Sequence, residues 1–426
     1  MVRIRSDFRR AQLAVAALFC LLGFQYATWA SRLPAIKTRL GLSDAEVGLL
    51  LMVCGLGAAT SFPLVASLTK RLGSRRLSIL SALFLALLPL TLAVAPDYPV
   101  ALVIVFCDGV AVACLDVAMN AQGAALEVTY QRTTMTKLHA TFSGGSFCGA
   151  LLASGLNALN TSLLEQFAVA AVLLLLMLGY AQSGLLVHDL PEEGQSASSD
   201  AAHEEASQAG QSEQTSKKRR RWAVPARVTL WMGCAMAFGT VVEGAMNDWS
   251  ALYLKNVAKA ATELTPLGIA VFSAMMVLAR IFADGWRTRW GDGRVVVLGS
   301  ALAGAGLLAA VLAGGTVPAL LGFACVGLGI AAVTPCIYVA AAGQGADALA
   351  LVAAMGTVGL LAGPGVIGFI ANSSGLTWGM AAVAGSAVIV SLSTARIRWP
   401  APARAEGPDP DPESGPPAQS SLPVSA

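Results

Sequence analysis

Charge is scarce in this chain of 426 residues: Asp, Glu, Lys and Arg make up 12% of it, roughly half the share of an ordinary soluble domain. With 56% hydrophobic residues and a mean hydropathy of +0.66, a soluble globular protein is excluded and a polytopic membrane protein is indicated. Histidine is down to three, and His139, His188 and His203 lie too far apart in the chain to form a metal-ligand set, so no metal is expected. The eight cysteines all fall inside apolar segments with no CxxC pair, which excludes a disulfide framework and makes them small packing residues. No nucleophile–base pair and no phosphate-cradling loop is evident, so neither an enzyme nor a cofactor is expected. A net charge of only +3, with the basic residues placed between apolar segments, gives no footprint for nucleic acid.

What the chain has is apolar runs of about 20 residues, the length that crosses a bilayer as a helix. The pattern predicts spans over residues 11–31, 45–69, 77–95, 99–122, 138–159 and 166–187, and again over 228–250, 264–286, 295–314, 318–342, 348–371 and 377–395. That is an all-α membrane protein of twelve transmembrane helices in two six-helix halves. The first run, behind Arg9 and Arg10, has the outline of a signal peptide. Its length and the recurrence of the pattern make it a spanning helix instead.

Four segments follow: an N-terminal half (1–187), a linker (188–227), a C-terminal half (228–398) and a tail (399–426). The linker is rich in Ser, Gln, Glu and Ala and ends in the basic run Lys217–Arg221. It cannot bury a core and is expected to be disordered, with its basic end against anionic headgroups. The tail, rich in Pro, Ser and Asp, is expected to be disordered as well.

With the N-terminus inside, 22 of the 28 Lys and Arg residues fall on one side and five on the other. The positive-inside rule therefore places both termini in the cytoplasm of a bacterial inner membrane. Internal repetition supports two halves: at an offset of 220 residues Trp29 falls on Trp249 and Gly48 on Gly268. Parallel repeats of this kind are one of the architectures of secondary transporters.

Residues 11–396 resemble the major facilitator superfamily. After the second span the superfamily carries Gly, three residues, Asp, a basic residue, any residue, Gly and two basic residues. Arg71, Gly73, Arg75 and Arg76 fit, with Ala66 in place of the first Gly and Lys70 in place of the Asp. In the fourth span Gln122–Gly123 fits the superfamily's Arg-x-x-Gln-Gly, with Met119 where the Arg would stand. The phrases TWASRLPAIKTRLGLSDAEVG, LDVAMNAQ and EGAMNDWSALYL are similar to the YbjJ-type bacterial inner-membrane branch. The resemblance implies alternating access, a small-molecule substrate and a monomer in the bilayer, with Arg71 and Arg75 in a gating loop. The glycine–proline run of efflux members is missing from the fifth span, where Gly144, Gly145, Gly149 and Gly155 stand without a proline. A similar string with Pro364 falls in the eleventh.

Candidate functional residues are the polar interruptions. A charged side chain at mid-membrane costs about 2.5–3.5 kcal/mol on insertion scales and faces protein or water. In the fourth span Asp108, Asp116 and Asn120 share a face at about 0°, 80° and 120° on a helical wheel, Asp116 lying about 12 Å beyond Asp108. Loss of water disfavours a charged carboxyl, so Asp108, Asp116 and, in the seventh span, Glu243 are the candidates for proton coupling. The other reading of these acids is hydrogen-bonded glue between helices. Glu243 and Asn247 share one face, and with Gln25, Tyr26, Trp29 and Asn120 they are the candidate substrate site. For Trp29 and Trp249 the preferred reading is interfacial anchoring, which is common for Trp at that level. Arg32 is expected to pair with Asp248 or Glu243 across the halves, and Arg280 with Asp284 four residues on, as gating pairs. His139 opens the fifth span as a helix-end histidine. The expected substrate is neutral and polar, or cationic, because acids outnumber bases among these groups. A membrane sensor that keeps the fold and transports nothing is the alternative.

Overall fold

The computed structural model describes residues 2–130, 132, 134–186, 226–397 and 399. The linker lies outside the described residues apart from Ala226 and Arg227, and the tail apart from Trp399. Among the described residues the chain is helical without strands: α1 (Val2–Ala30), α2 (Leu33–Leu40), α3 (Asp44–Thr60), α4 (Phe62–Val94), α5 (Tyr98–Tyr130), α6 (Met135–Ala158) and α7 (Leu163–Ala181). Then come α8 (Arg227–Asn256), α9 (Leu267–Trp290), α10 (Asp292–Ala313), α11 (Thr316–Ile330), α12 (Val333–Ala342), α13 (Ala346–Ser374) and α14 (Leu376–Ala395). Ten stretches are long and apolar enough to cross a bilayer, eleven with the bent pair α2–α3. The Gly- and Ser-rich α6, packed along α1, brings the bundle to twelve crossings.

Prolines explain where the predicted spans break. The second span runs through α3, turns at Ser61 and continues into α4, because Pro63 lacks the N–H an unbroken helix would use. Pro335 opens a similar break between α11 and α12 in the tenth. Within α4, Gly73 adopts φ 73° and ψ 159°, separating the second crossing from the third. Gly291, between α9 and α10, has nearly the same conformation at φ 79° and ψ 152°. The two loops read Arg71-Leu72-Gly73-Ser74-Arg75-Arg76 and Arg289-Trp290-Gly291-Asp292-Gly293-Arg294, a second copy of one turn. The sequence pattern hides it because its spacing falls two residues short of the one relating Trp29 to Trp249.

The segment after α1, read as a loop, contains α2. Pro34 starts it, Gly41 ends it at φ 64°, and Ser43 with Glu46 forms a capping box that starts α3 after a bend of 119°. Arg39 holds the segment down by donating to the carbonyls of Leu92 and Ala95, each at 2.9 Å.

The halves meet along two seams. α3 packs on α13, and α9 packs on α6. Counted as crossings these are the second on the eleventh and the eighth on the fifth, so the repeat exchanges one seam for the other. Glycines set the closeness: at the first seam a Cβ on Gly368 would come within 2.8 Å of Gly48 Cα, and inside the N-terminal half one on Gly145 would come within 2.1 Å of the Cys20 carbonyl oxygen of α1. The glycines of the fifth and eleventh spans thus include helix-packing surface, as small residues do in membranes. Outward faces carry exposed Leu, Val and Phe, such as Leu312 and Phe369, which suit lipid.

Candidate functional site

Polar groups converge where α1, α3, α5 and α8 meet. Gln25, fully buried on α1, donates from Nε2 to Asp108 Oδ1 on α5 at 2.9 Å. One residue on, the Tyr26 hydroxyl donates to Asp248 of α8 across the seam between halves. The Cys54 thiol of α3 lies 4.0 Å from Asp108 Oδ2. Asp108 and Asp248 are both buried, and neither has a salt-bridge partner among the described residues. Two carboxyls without a counter-cation in an apolar bundle require a proton or an imported cation for charge balance.

Aromatic rings close over this cluster. Tyr26 and Trp29 pack edge to face with centroids 5.9 Å apart. Trp29 is 2% exposed and Trp249 0%, so the interfacial-anchor reading of both is corrected: they fill the core where the helices converge. Their indole N–H groups lack a hydrogen-bond partner among the described residues, as does the Gln25 carbonyl oxygen. A cavity of about 10 Å³ lies between Trp29, Pro89, Ile104 and Asp108, room for about one water.

A second polar group lies further along the seam. Arg280 of α9 donates from Nη1 to Ser143 Oγ of α6 at 2.9 Å, and its Nη2 is 3.8 Å from Glu243 of α8. Both side chains of that pair keep about a third of their surface accessible, 28% and 32%. The expected pairing of Arg280 with Asp284 is therefore corrected. Arg280 reaches inward across the seam, while Asp284, 81% exposed, lies 3.5 Å from Arg287.

The expected pairing of Arg32 with Asp248 or Glu243 is also corrected. Arg32 donates to the Asn157 side chain of α6, and Asn157 in turn donates to the Thr262 carbonyl of the other half at 3.1 Å. Asp248 is turned inward to Tyr26, and Glu243 faces Arg280. Arg32 thus bridges the halves through an amide. Near it Ser154 donates to the Glu263 carbonyl, and Ala27, Ala30, Ala150, Ile269 and Ala270 form one buried cluster. At this end of the bundle the halves are shut.

The remaining candidates are placed as follows. Asn120 donates to the Asp116 carbonyl and carboxylate at 2.9 and 3.1 Å, and Asn247 to the Glu243 carbonyl at 3.1 Å, so each bonds within its own helix. Asp116 is half-buried, deeper along α5 than the Asp108 cluster. Gln122, on the other hand, ties α5 to Ser74 Oγ at 2.7 Å and to both backbone groups of Leu186. Arg71 is exposed and Arg75 donates to the Gln182 carbonyl at 3.1 Å. His139 packs edge-on against Phe19 at 4.9 Å. Sequence reasoning missed Cys54, Ser143 and Asn157, and for Cys54 no signal marks it off from seven other cysteines in apolar runs.

The sequence profile of the Major Facilitator Superfamily matches residues 13–346. An uncharacterised MFS-type transporter of Yersinia pestis is 30% identical over 383 residues, 88% of this chain and 92% of its own. The membrane protein MosC of Rhizobium meliloti is 28% identical over 386 residues, 89% and 88% of the two chains. Among solved structures the nucleoside transporter NupG superposes with a TM-score of 0.67 at 14% identity, covering 91% of this chain and 98% of that one. A bacterial homologue of the lysosomal transporter Spinster, inward-facing and occupied, gives 0.63 at 13% identity, with 90% and 95% covered. At these identities the structural likeness concerns the fold.

Proposed function

The chain belongs to the major facilitator superfamily, and from that membership we propose that it carries a small neutral polar or cationic molecule across a bacterial inner membrane by alternating access, coupled to protons. The observation that carries the reading is the cluster of Gln25, Tyr26, Cys54, Asp108 and Asp248, which joins both halves around two buried carboxyls without a counter-cation. Such a cluster binds differently in the two states of an alternating bundle, because opening the shut end separates Tyr26 from Asp248. Proton or cation release can then be linked to that separation.

Residues 1–187 and 228–398 act as the two moving halves, joined by residues 188–227 and followed by the tail 399–426. The positive-inside count puts the shut end outside and both termini in the cytoplasm. The accessible pair Glu243–Arg280 then stands on the approach from the cytoplasmic side, with Asp116 further along α5 toward that side. The acids favour a substrate with hydroxyls or an amine over an anion. We assign Asp108 and Asp248 as the coupling pair and Glu243 with Arg280 as the approach, and the monomer as the working unit.

The test is purified protein in liposomes carrying a pH-sensitive dye, screened with metabolites that raise its unfolding temperature. Proton entry that depends on one such compound supports the reading. Saturable binding with no flux under any gradient would favour the sensor.

A further inference from the structure

A second site lies away from the seams, at the turn that copies the Gly73 loop. There the last turn of α9 and the first turn of α10 meet Trp399. Arg287 is occupied: it donates to Asp292 from Nε at 2.9 Å and from Nη2 at 3.2 Å, and lies 3.5 Å from Asp284. That leaves the exposed Arg289 and Arg294 with no acidic partner among the described residues. Both line a cavity of about 640 Å³, walled by Trp290, Leu298, Thr394 and Trp399.

The walls are built rather than incidental. The Trp399 indole donates to the Thr394 carbonyl at 3.0 Å, and its ring lies so close to Gly293 that a Cβ there would meet it at 2.4 Å. Trp290 is held in a stack with Trp286, rings 6.4 Å apart and 12° from parallel. From the cavity the exposed side chains of Leu298, Leu302 and Leu392 run down the helices into the apolar band. One end is thus cationic and aromatic, at the level where Trp and Arg meet headgroups, and the other matches acyl chains.

We propose that this cavity is a binding site for an anionic phospholipid, its phosphate between Arg289 and Arg294 and its chains along Leu298, Leu302 and Leu392. A soluble phosphate would use only the two arginines. The apolar wall continuous with them, and the volume beyond, select a lipid.

The test uses the delipidated full-length protein in detergent, with phosphatidylglycerol, phosphatidylcholine of the same chains, and inorganic phosphate as probes. Native mass spectrometry and thermal unfolding read binding. Phosphatidylglycerol is expected to bind in preference to phosphatidylcholine, with the preference weakening as salt rises. Arg289→Gln with Arg294→Gln should lower the phosphatidylglycerol affinity about 30-fold, while Arg289→Lys with Arg294→Lys keeps most of it. Equal retention of the two lipids by the wild-type protein, or undiminished phosphatidylglycerol binding by the Gln pair, would overturn the proposal. So would protection by inorganic phosphate that equals the lipid's, since the site would then be one for a soluble anion. If the Gln pair does not fold, the salt dependence and lipid preference of the wild-type protein decide.

Discussion

Adding one methyl group at Gly48 should bias the transport cycle. In the shut conformation a Cβ on Gly48 would stand 2.8 Å from the Pro364 carbonyl oxygen, 3.0 Å from Gly368 Cα and 3.4 Å from Gly365 Cα. All three are backbone atoms of α13 in the other half, so none can rotate aside. Overpacking of this kind costs about 1–3 kcal/mol. The cost falls on the shut state alone, because opening that end parts α3 from α13. Alanine's better helix propensity, about 0.5–1 kcal/mol, applies in both states and cancels. Gly48→Ala should therefore raise the ratio of open to shut molecules at the Arg32 end about 5- to 150-fold.

Spin labels at Leu159 and Ala261, exposed on the two halves at that end, in a background lacking the native cysteines, would read this as longer distances by pulsed electron resonance. Gly144→Ala is the control, since a Cβ there meets nothing within 4 Å. An unchanged distance distribution in Gly48→Ala, or an equal change in Gly144→Ala, would refute the reasoning.

Three further outcomes follow from the same geometry. Tyr26→Phe removes the donor to buried Asp248, should destabilise the shut state by about 1–3 kcal/mol, and should shift the same label distances toward the open state. Asp108→Asn keeps the shape beside Gln25 and should abolish uptake driven by a pH gradient while leaving substrate exchange at equilibrium; gradient-driven uptake with unchanged proton stoichiometry would assign coupling elsewhere. Gln122→Leu loses its bonds to Ser74 and to both backbone groups of Leu186 and should lower stability by about 2–4 kcal/mol with an unchanged transport KM, which thermal unfolding and uptake kinetics would separate.

Much of the fold is legible from residue order because its causes are local. Apolar runs of bilayer length define spans, and Pro63 and Pro335 mark where a span must bend. The capping boxes Ser43–Glu46 and Ser162–Glu165, both present in the structure, could have been found by their spacing alone. The repeat was visible at Trp29 and Trp249 but lost at Gly73 and Gly291, since a shift of two residues breaks a fixed offset while leaving the turn intact.

Partner choice was another matter. Helical periodicity says which residues share a face, and on that basis Asp108 was grouped with Asp116 and Asn120. It says nothing about which helix lies opposite. Tyr26 and Asp248 are 222 residues apart in the chain, and their contact exists only because the two halves close against each other. Arg32 and Arg280 illustrate the same point: Arg32 takes Asn157 of α6 and no acid, and Arg280 passes over Asp284 on its own helix for Ser143 of α6 and Glu243 of α8.

What the amino-acid order by itself determined is a twelve-span bundle, its repeat and the polar residues that cannot face lipid, because burial in a bilayer acts on each segment alone. Only the tertiary structure decided that Gln25, Tyr26, Cys54, Asp108 and Asp248 form one cluster, because hydrogen bonds between helices depend on seams set by backbone contacts such as Gly48 on Gly368.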